Sequence, residues 1–284
     1  MEDRSRRSLL YVPASSEPML RKAGTRGADV LIVDLEDGVL PSAKGAAREQ
    51  AQRLWHALDF GGAEPWLRVN GAGTPWVYAD AETARQLQPA AVVLPKCEDP
   101  GVVETISRRL PDVPLLLMVE TAAGVLAAAA LARVPGVAGL VFGAADFRAS
   151  VGARRTPDEE ELLVARSTLV IAARAVEIRV FDTPYFDFAD TEGLERSARR
   201  ARTLGFDGKT AIHPAQVGPI HAAFAPTPAE VERARAVLRA LEQAARDGRG
   251  VAAVDGEMVE PLHAAEARRT LALAADAAAT GREP

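Results

Sequence analysis

Short apolar runs recur at regular intervals along the chain: SLLYVP (8–13), DVLIVDL (29–35), PWLRVN (65–70), AAVVLPK (90–96), PLLLMVE (114–120), GLVFGAAD (139–146), EIRVFDTP (177–184) and FDGKTAIHP (206–214). They are continuously apolar rather than alternating, which predicts parallel strands covered on both faces. Segments of helical composition lie between them, among them Lys44 to Leu58, Pro100 to Leu110, Thr121 to Arg133, Pro157 to Ala175 and Thr191 to Leu204. Eight such repeats in about 210 residues predict a (β/α)8 TIM barrel, with a doubly wound open sheet as the alternative. Pro13-Ala14-Ser15-Ser16 follows the first strand where a dinucleotide-binding sheet would carry a glycine-rich loop, which counts against the open sheet.

After residue 222 the pattern changes. Thr227 to Asp247 reads as a long charged helix, 248–261 as a loop or hairpin, and His263 to Thr280 as an Ala-rich helix. Neither helix has a strand to cover. The expected division is therefore a barrel over 1–222 and a C-terminal helical extension over 223–284 that packs outside the barrel at a subunit interface, with no additional lid domain.

Composition narrows the function. With 284 residues, 48% of them hydrophobic, the chain can bury a large core. A net charge of −5, with both signs interspersed, argues against nucleic acid or an anionic membrane as the main partner. A lone Cys97 forms no internal disulfide and fits a reducing compartment as a buried thiol. No window approaches the ~20 apolar residues of a membrane span, and the start, MEDRSRRSLLYVP, has too short an apolar run for a signal peptide. A soluble cytoplasmic protein is expected.

Parallel α/β folds collect their chemistry at the carboxyl ends of the strands. Read there, the runs end in Asp34, Glu36 and Asp37, then Arg68 and Asn70, Lys96, Glu120, Asp146, Asp182, and Lys209 with His213. Strand ends are generally polar, but so many opposite charges on one rim point to a functional cluster. Glu120 and Asp146 both follow strongly hydrophobic strands. Two anions side by side call for a cation or a shared proton, and hard oxygen ligands without His or Cys suit Mg²⁺. The alternatives are a helix-capping contact for Glu120 and an ion pair with Arg148 for Asp146. Arg68 offers a planar fork to a carboxylate, or else pairs with the acids at 34–37. His56, His213, His221 and His263 lack zinc-ligand spacing, and a Ser-His-Asp signature is missing. A Schiff base on Lys96 or Lys209 would make a different class of lyase.

The motifs RSLLYVPASSEPMLRKA, GADVLIVDLEDGV with Lys44 and Ala47-Arg48 after it, LRVN, VLPK, VET-x-x-G, GLVFGAAD, GFDGKTAIHPAQV and VDGEMVEP resemble, in this order, the citrate lyase beta subunit family within the HpcH/HpaI aldolase group. Malyl-CoA and citramalyl-CoA lyases belong to that group too. The resemblance runs from Arg7 to about Arg269. It implies that Glu120 and Asp146 hold Mg²⁺ and that Arg68 binds the carboxylate or keto-acid part of the substrate. It further implies that Glu36 and Asp37 line the pocket, order water and pair with Arg68. Asp255, which the residues alone place in a turn, matches an acid/base that reaches a neighbouring subunit's site, and a homotrimer follows by resemblance. Lys22 and Arg21 become candidates for the phosphates of CoA or an acyl carrier, beside the plainer reading of a solvated helix face.

The activity so implied is Mg²⁺-dependent cleavage of a citryl-like acyl thioester, on CoA or an acyl-carrier protein, to oxaloacetate and an acetyl thioester. Malyl-CoA or citramalyl-CoA cleavage, or a malate synthase-like condensation with thioester hydrolysis, is the alternative within enzymes. A non-catalytic acyl-carrier-binding subunit is the alternative outside them. FRASVGARRT after Asp146 is shorter and more basic than the loop expected of malyl-CoA lyases.

Overall fold

Eight parallel strands close into a barrel in sequence order: β1 (Ser8–Pro13), β2 (Val30–Asp34), β3 (Glu64–Arg68), β4 (Ala91–Leu94), β5 (Leu115–Val119), β6 (Val137–Phe142), β7 (Arg179–Asp182) and β8 (Gly208–Ala211). This computed structural model describes residues 4–279. The ring closes where β8 pairs with β1 through Ser8↔Lys209 and Leu10↔Ala211. Between and after the strands lie α1 (Glu17–Ala23), α2 (Lys44–Leu54), α3 (Val77–Leu87), α4 (Pro100–Ser107), α5 (Ala122–Leu131), α6 (Ala144–Val151), α7 (Leu163–Arg174), α8 (Thr191–Leu204) and α9 (Val217–Phe224). The barrel expected from the repeat is the barrel observed. The helix expected from Pro157 is cut back to Leu163–Arg174, because Pro157 to Glu159 form a turn and Glu159 takes a left-handed backbone with φ 51°.

Why the strands are continuously apolar follows from their two faces. One row of side chains, including Leu9, Val30, Ile32, Trp66, Val93, Leu116, Met118, Val141 and Phe181, packs together as one core cluster inside the barrel. Side chains alternate along a strand, so Leu10, Leu31, Val33 and Leu67, which are also buried, face the surrounding helices. The same alternation sorts the charged residues. Asp34, Arg68 and Glu120 continue the inner row at the carboxyl end, and register sets Asp34 beside Arg68. Asp182, between Phe181 of the inner cluster and Thr183, belongs to the outer row, as does Lys209.

The opposite end of the barrel is clamped by polar contacts. His221 Nε2 lies 2.7 Å from Ser8 Oγ and 3.3 Å from Asp29 Oδ2. Asp29 also accepts from the Arg7 amide at 2.8 Å and Arg7 Nε at 3.2 Å.

The chain divides into two units, Met1–Ala223 and Phe224–Pro284. In the second, α10 (Pro228–Arg246) and α11 (Pro261–Ala279) pack on each other, with an antiparallel hairpin of β9 (Ala252–Val254) and β10 (Glu257–Val259) between them in sequence. Its core holds Ala234, Val237, Val254, Val259 and Ala267. Thr227 and Glu230 cap α10 reciprocally. Thr280, the expected end of the last helix, lies outside the described residues. None of the described helices is long and apolar enough to cross a membrane.

Candidate active site

At the carboxyl ends of the strands a cavity of about 360 Å³ opens, lined by Tyr11, Arg68, Met118, Glu120, Asp146 and Thr183, with Asp34 and Asp37 on its wall. Its polar residues come from the inner rows of five strands and the loops that follow them.

The loop after β2 builds one side. Asp34 is 2% exposed and accepts from four donors: Arg68 Nε and Nη2, both at 2.7 Å, the Glu36 amide at 2.8 Å and the Gly38 amide at 2.9 Å. Burial alone would raise its pKa, but Arg68 and the two amides hold it below the ordinary carboxylate value. Lys44, reaching from α2, donates to the carbonyls of Leu35 at 2.9 Å and Glu36 at 2.8 Å and so pins the loop from behind. Asn70 Nδ2 donates to the Leu35 carbonyl and to Asp80, so Asn70 braces the loop instead of serving the rim.

Arg68 therefore has its Nε/Nη2 edge closed on Asp34. Its Nη1 lies 3.0 Å from Glu36 Oε2 and 3.8 Å from Asp37 Oδ2. Above the guanidinium sits the Tyr11 ring, 4.6 Å from Cζ to the ring centre, a cation–π contact. Glu36 is buried behind Arg68, and its other oxygen accepts from Lys96 Nζ at 2.8 Å. Burial and the nearby Asp37 raise the Glu36 pKa even though Arg68 and Lys96 oppose them. Asp37, on the cavity wall and 3.9 Å from Lys96 Nζ, is the more open of the two acids, its side chain 59% exposed.

Glu120 and Asp146 form the other side. Glu120 is 3% exposed and accepts from the Lys96 amide at 2.8 Å. Lys96 takes a left-handed backbone, φ 56°, which for a residue with a Cβ costs about 1–2 kcal/mol. Burial first, then the charges of Asp146 and Glu36, push the Glu120 carboxyl up to about 7. Thr121, not Glu120, caps α5, accepting from the Gly124 amide at 3.1 Å. Arg148 pairs with Glu161 at 2.6 Å, which leaves Asp146 in the first turn of α6, facing the cavity. Neither plainer alternative for these two acids is what the structure contains.

Asp34, Glu36, Asp37, Glu120 and Asp146 thus outnumber the cations Arg68, Lys96 and Lys44 around one cavity. A divalent cation between Glu120 and Asp146 would relieve that excess, and two carboxylates plus water and substrate oxygens make a usual Mg²⁺ shell. Among the described residues, no group of three or more His, Cys, Asp or Glu is arranged to hold a metal. The donor set fits a shared ion of the Mg²⁺ kind and does not fit zinc.

Besides Asn70, two more residues expected on the rim from strand ends are not there. Asp182 and Lys209 are fully buried on the outer row. Lys209 Nζ donates to Asp182 at 2.6 Å, and Arg166 from α7 donates to the same carboxylate at 2.8 and 2.9 Å. A lysine so enclosed cannot meet a substrate carbonyl. Lys96 is accessible but is held as an ammonium, because Glu36, Asp37 and Glu120 outweigh the burial that would lower its pKa. A Schiff base has no lysine suited to it here. His213 stacks on Phe188 with ring centres 5.2 Å apart and accepts from the Ala215 amide at 3.2 Å.

Lys22 is exposed on α1, and Arg21 pairs with Glu17 at 2.7 Å. Asp255 stands in the second unit at the β9–β10 turn, φ 54°, with a side chain 74% exposed and 3.4 Å from Arg233 Nη1. Sequence reading passed over Tyr11, Met118 and Thr183. Tyr11 lies two residues before Pro13 and Met118 two before Glu120, so the alternation that places Glu120 inward would have found Met118 too. Thr183 Oγ1 accepts from the Ala144 amide at 3.0 Å and ties the start of α6 to the strand-end loop beside it.

Fold and site together define a (β/α)8 barrel with a buried arginine and a carboxylate pair at the face where such barrels carry their chemistry. The chain belongs to the HpcH/HpaI aldolase/citrate lyase family, whose model matches residues 7–214. It is 41% identical over 268 residues to a (3S)-malyl-CoA thioesterase from Cereibacter sphaeroides, covering 94% of each chain. With a citrate lyase subunit beta from Leuconostoc mesenteroides subsp. cremoris it shares 32% identity, covering 96% of this chain and 94% of the other. Among solved structures, it resembles the protein CitE from Mycobacterium tuberculosis in complex with magnesium, acetoacetate and coenzyme A, with a TM-score of 0.83 and 32% identity. That match covers 95% of this chain and 98% of the other.

Proposed function

We propose that the protein is a Mg²⁺-dependent carbon–carbon lyase that cleaves a 3-hydroxy-3-carboxyacyl thioester of the citryl type into a 2-oxo acid and an acetyl thioester. The observation that carries this reading is the unbalanced pair Glu120 and Asp146 facing Arg68 across one cavity. Glu120 and Asp146 would hold the ion, which supplies positive charge where the substrate hydroxyl becomes an oxyanion.

Arg68 offers Nη1 to the substrate carboxylate, its other edge being fixed by Asp34, and keeps that carboxylate oriented as the keto acid develops. The hydroxyl proton leaves to Asp37, whose carboxylate opens onto the cavity. As the C–O bond becomes C=O, the Cα–Cβ bond breaks and its electron pair passes into the thioester as an enolate. Protonation of that carbon gives the acetyl thioester, and Asp255 of a neighbouring subunit is the proposed donor. This role makes the protein a homo-oligomer, read as a homotrimer, and a cytoplasmic location accords with the single thiol. Lys22 is assigned to a phosphate of CoA or of an acyl carrier.

A second reading, hydrolysis of a malyl thioester, is favoured by the 41% identity to the thioesterase. The test of the main reading is thermal: oxaloacetate with Mg²⁺ is expected to raise the melting temperature, and Glu120→Ala to abolish the rise. An equal rise in wild type and variant would sink it.

A further inference from the structure

Lys96 touches both halves of the site with different parts of itself. Its amide donates to Glu120 Oε1 at 2.8 Å, and its ammonium donates to Glu36 Oε1 at 2.8 Å. A left-handed backbone, φ 56°, lets amide and side chain serve two carboxylates at once. Glu36 is thereby divided between two cations, with one oxygen on Lys96 and the other 3.0 Å from Arg68 Nη1. Arg68 is itself closed on Asp34 along its other edge. Glu36 and an incoming carboxylate therefore compete for the same Nη1 side of the guanidinium.

We propose that Lys96 is a positioning residue that restrains Glu36 to a single-oxygen contact with Arg68, leaving the cavity side of the guanidinium for an anionic substrate. Without the ammonium, Arg68 is the cation left in contact with the Glu36 carboxylate, since Lys44 Nζ is bound to the carbonyls of Leu35 and Glu36. Both of its oxygens then turn onto Arg68, since a two-oxygen pair with guanidinium is the stronger arrangement. Substrate carboxylate is excluded, while the carboxylates facing the metal lose a repelling positive charge rather than a ligand. The identity of the anion rests on the function proposed above.

The experiment is calorimetry on Lys96→Met, Lys96→Gly and Lys96→Arg, with MgCl₂ alone and then with oxaloacetate in saturating MgCl₂. Oxaloacetate affinity is expected to fall about tenfold or more in Lys96→Met and Lys96→Gly and to recover in Lys96→Arg. Mg²⁺ affinity is expected to hold or tighten in all three, and Lys96→Gly to melt no lower than Lys96→Met, because glycine accepts the left-handed backbone freely. Unchanged oxaloacetate affinity in Lys96→Met overturns the proposal, and so does a joint loss of Mg²⁺ and oxaloacetate binding, which marks a structural role only. If wild type binds neither oxaloacetate, glyoxylate nor pyruvate, the functional reading fails. The positioning claim is then decided by a crystal structure of Lys96→Met: Glu36 with both oxygens on Arg68 upholds it, and an unmoved Glu36 refutes it.

Discussion

Asp29, at the barrel end remote from the cavity, shows what a carboxylate does in this chain when its only work is structural. It is 3% exposed. Burial opposes its charge, but His221 and Arg7 hold its pKa well below the ordinary 3.8. A depressed carboxylate contributes stability that is full above its unfolded value and is lost as pH falls below that value. Asp29→Asn is therefore expected to cost roughly 3–5 kcal/mol at pH 7, since Arg7 is left buried without its anion. Its unfolding should also vary less between pH 4 and pH 2 than that of wild type, which chemical denaturation across that range would measure. Glu120 differs in kind. It is buried and beside Asp146 without a side-chain cation in hydrogen-bond contact, and its pKa is raised to about 7. A fold gains nothing by keeping such a group charged unless a ligand shares it.

At the scale of elements, the start of α6 sets the shape of the site. Gly143 precedes that helix so closely to Glu120 that an added Cβ would fall 2.4 Å from Glu120 Oε2 and 2.5 Å from its Cβ. Gly143→Ala is expected to displace the Glu120 side chain, costing about 1–3 kcal/mol and abolishing the Mg²⁺-dependent rise in melting temperature. An unchanged rise would show that Glu120 does not need its observed position. Most strands were legible in the sequence because burial on both faces leaves an apolar run, whereas β8, GKTA, carries Lys209 and Thr210 and is weakly marked. Arg68, Glu120 and Asp146 were legible for a related reason, as charges ending such runs. The same rule wrongly promoted Asp182 and Lys209, because position at a strand end was counted without the side-chain alternation that turns them outward to Arg166. The amide of Lys96 was beyond reach, since a backbone donor leaves no trace in residue type. Helix α1 is only 7 residues long, too short for a periodic pattern to show.

For the whole molecule, the barrel carries Arg68, Glu120 and Asp146, while Asp255 sits on an exposed hairpin turn in the other unit. If Asp255 serves a neighbour's cavity, Asp255→Ala and Glu120→Ala should each be inactive alone, and mixing the two by co-refolding should restore part of the activity. No recovery in mixed oligomers of confirmed composition would place the acid elsewhere. The central claim, bond cleavage beside the carbon bearing the hydroxyl with the thioester left intact, is most directly tested by following two products at once. Citryl-CoA and (3S)-malyl-CoA are each supplied with and without Mg²⁺, and 2-oxo acid and free thiol are measured together. The expected result is Mg²⁺-dependent release of the 2-oxo acid without free thiol, absent in Glu120→Ala. Free CoA thiol appearing with no 2-oxo acid would contradict the account and establish hydrolysis in its place.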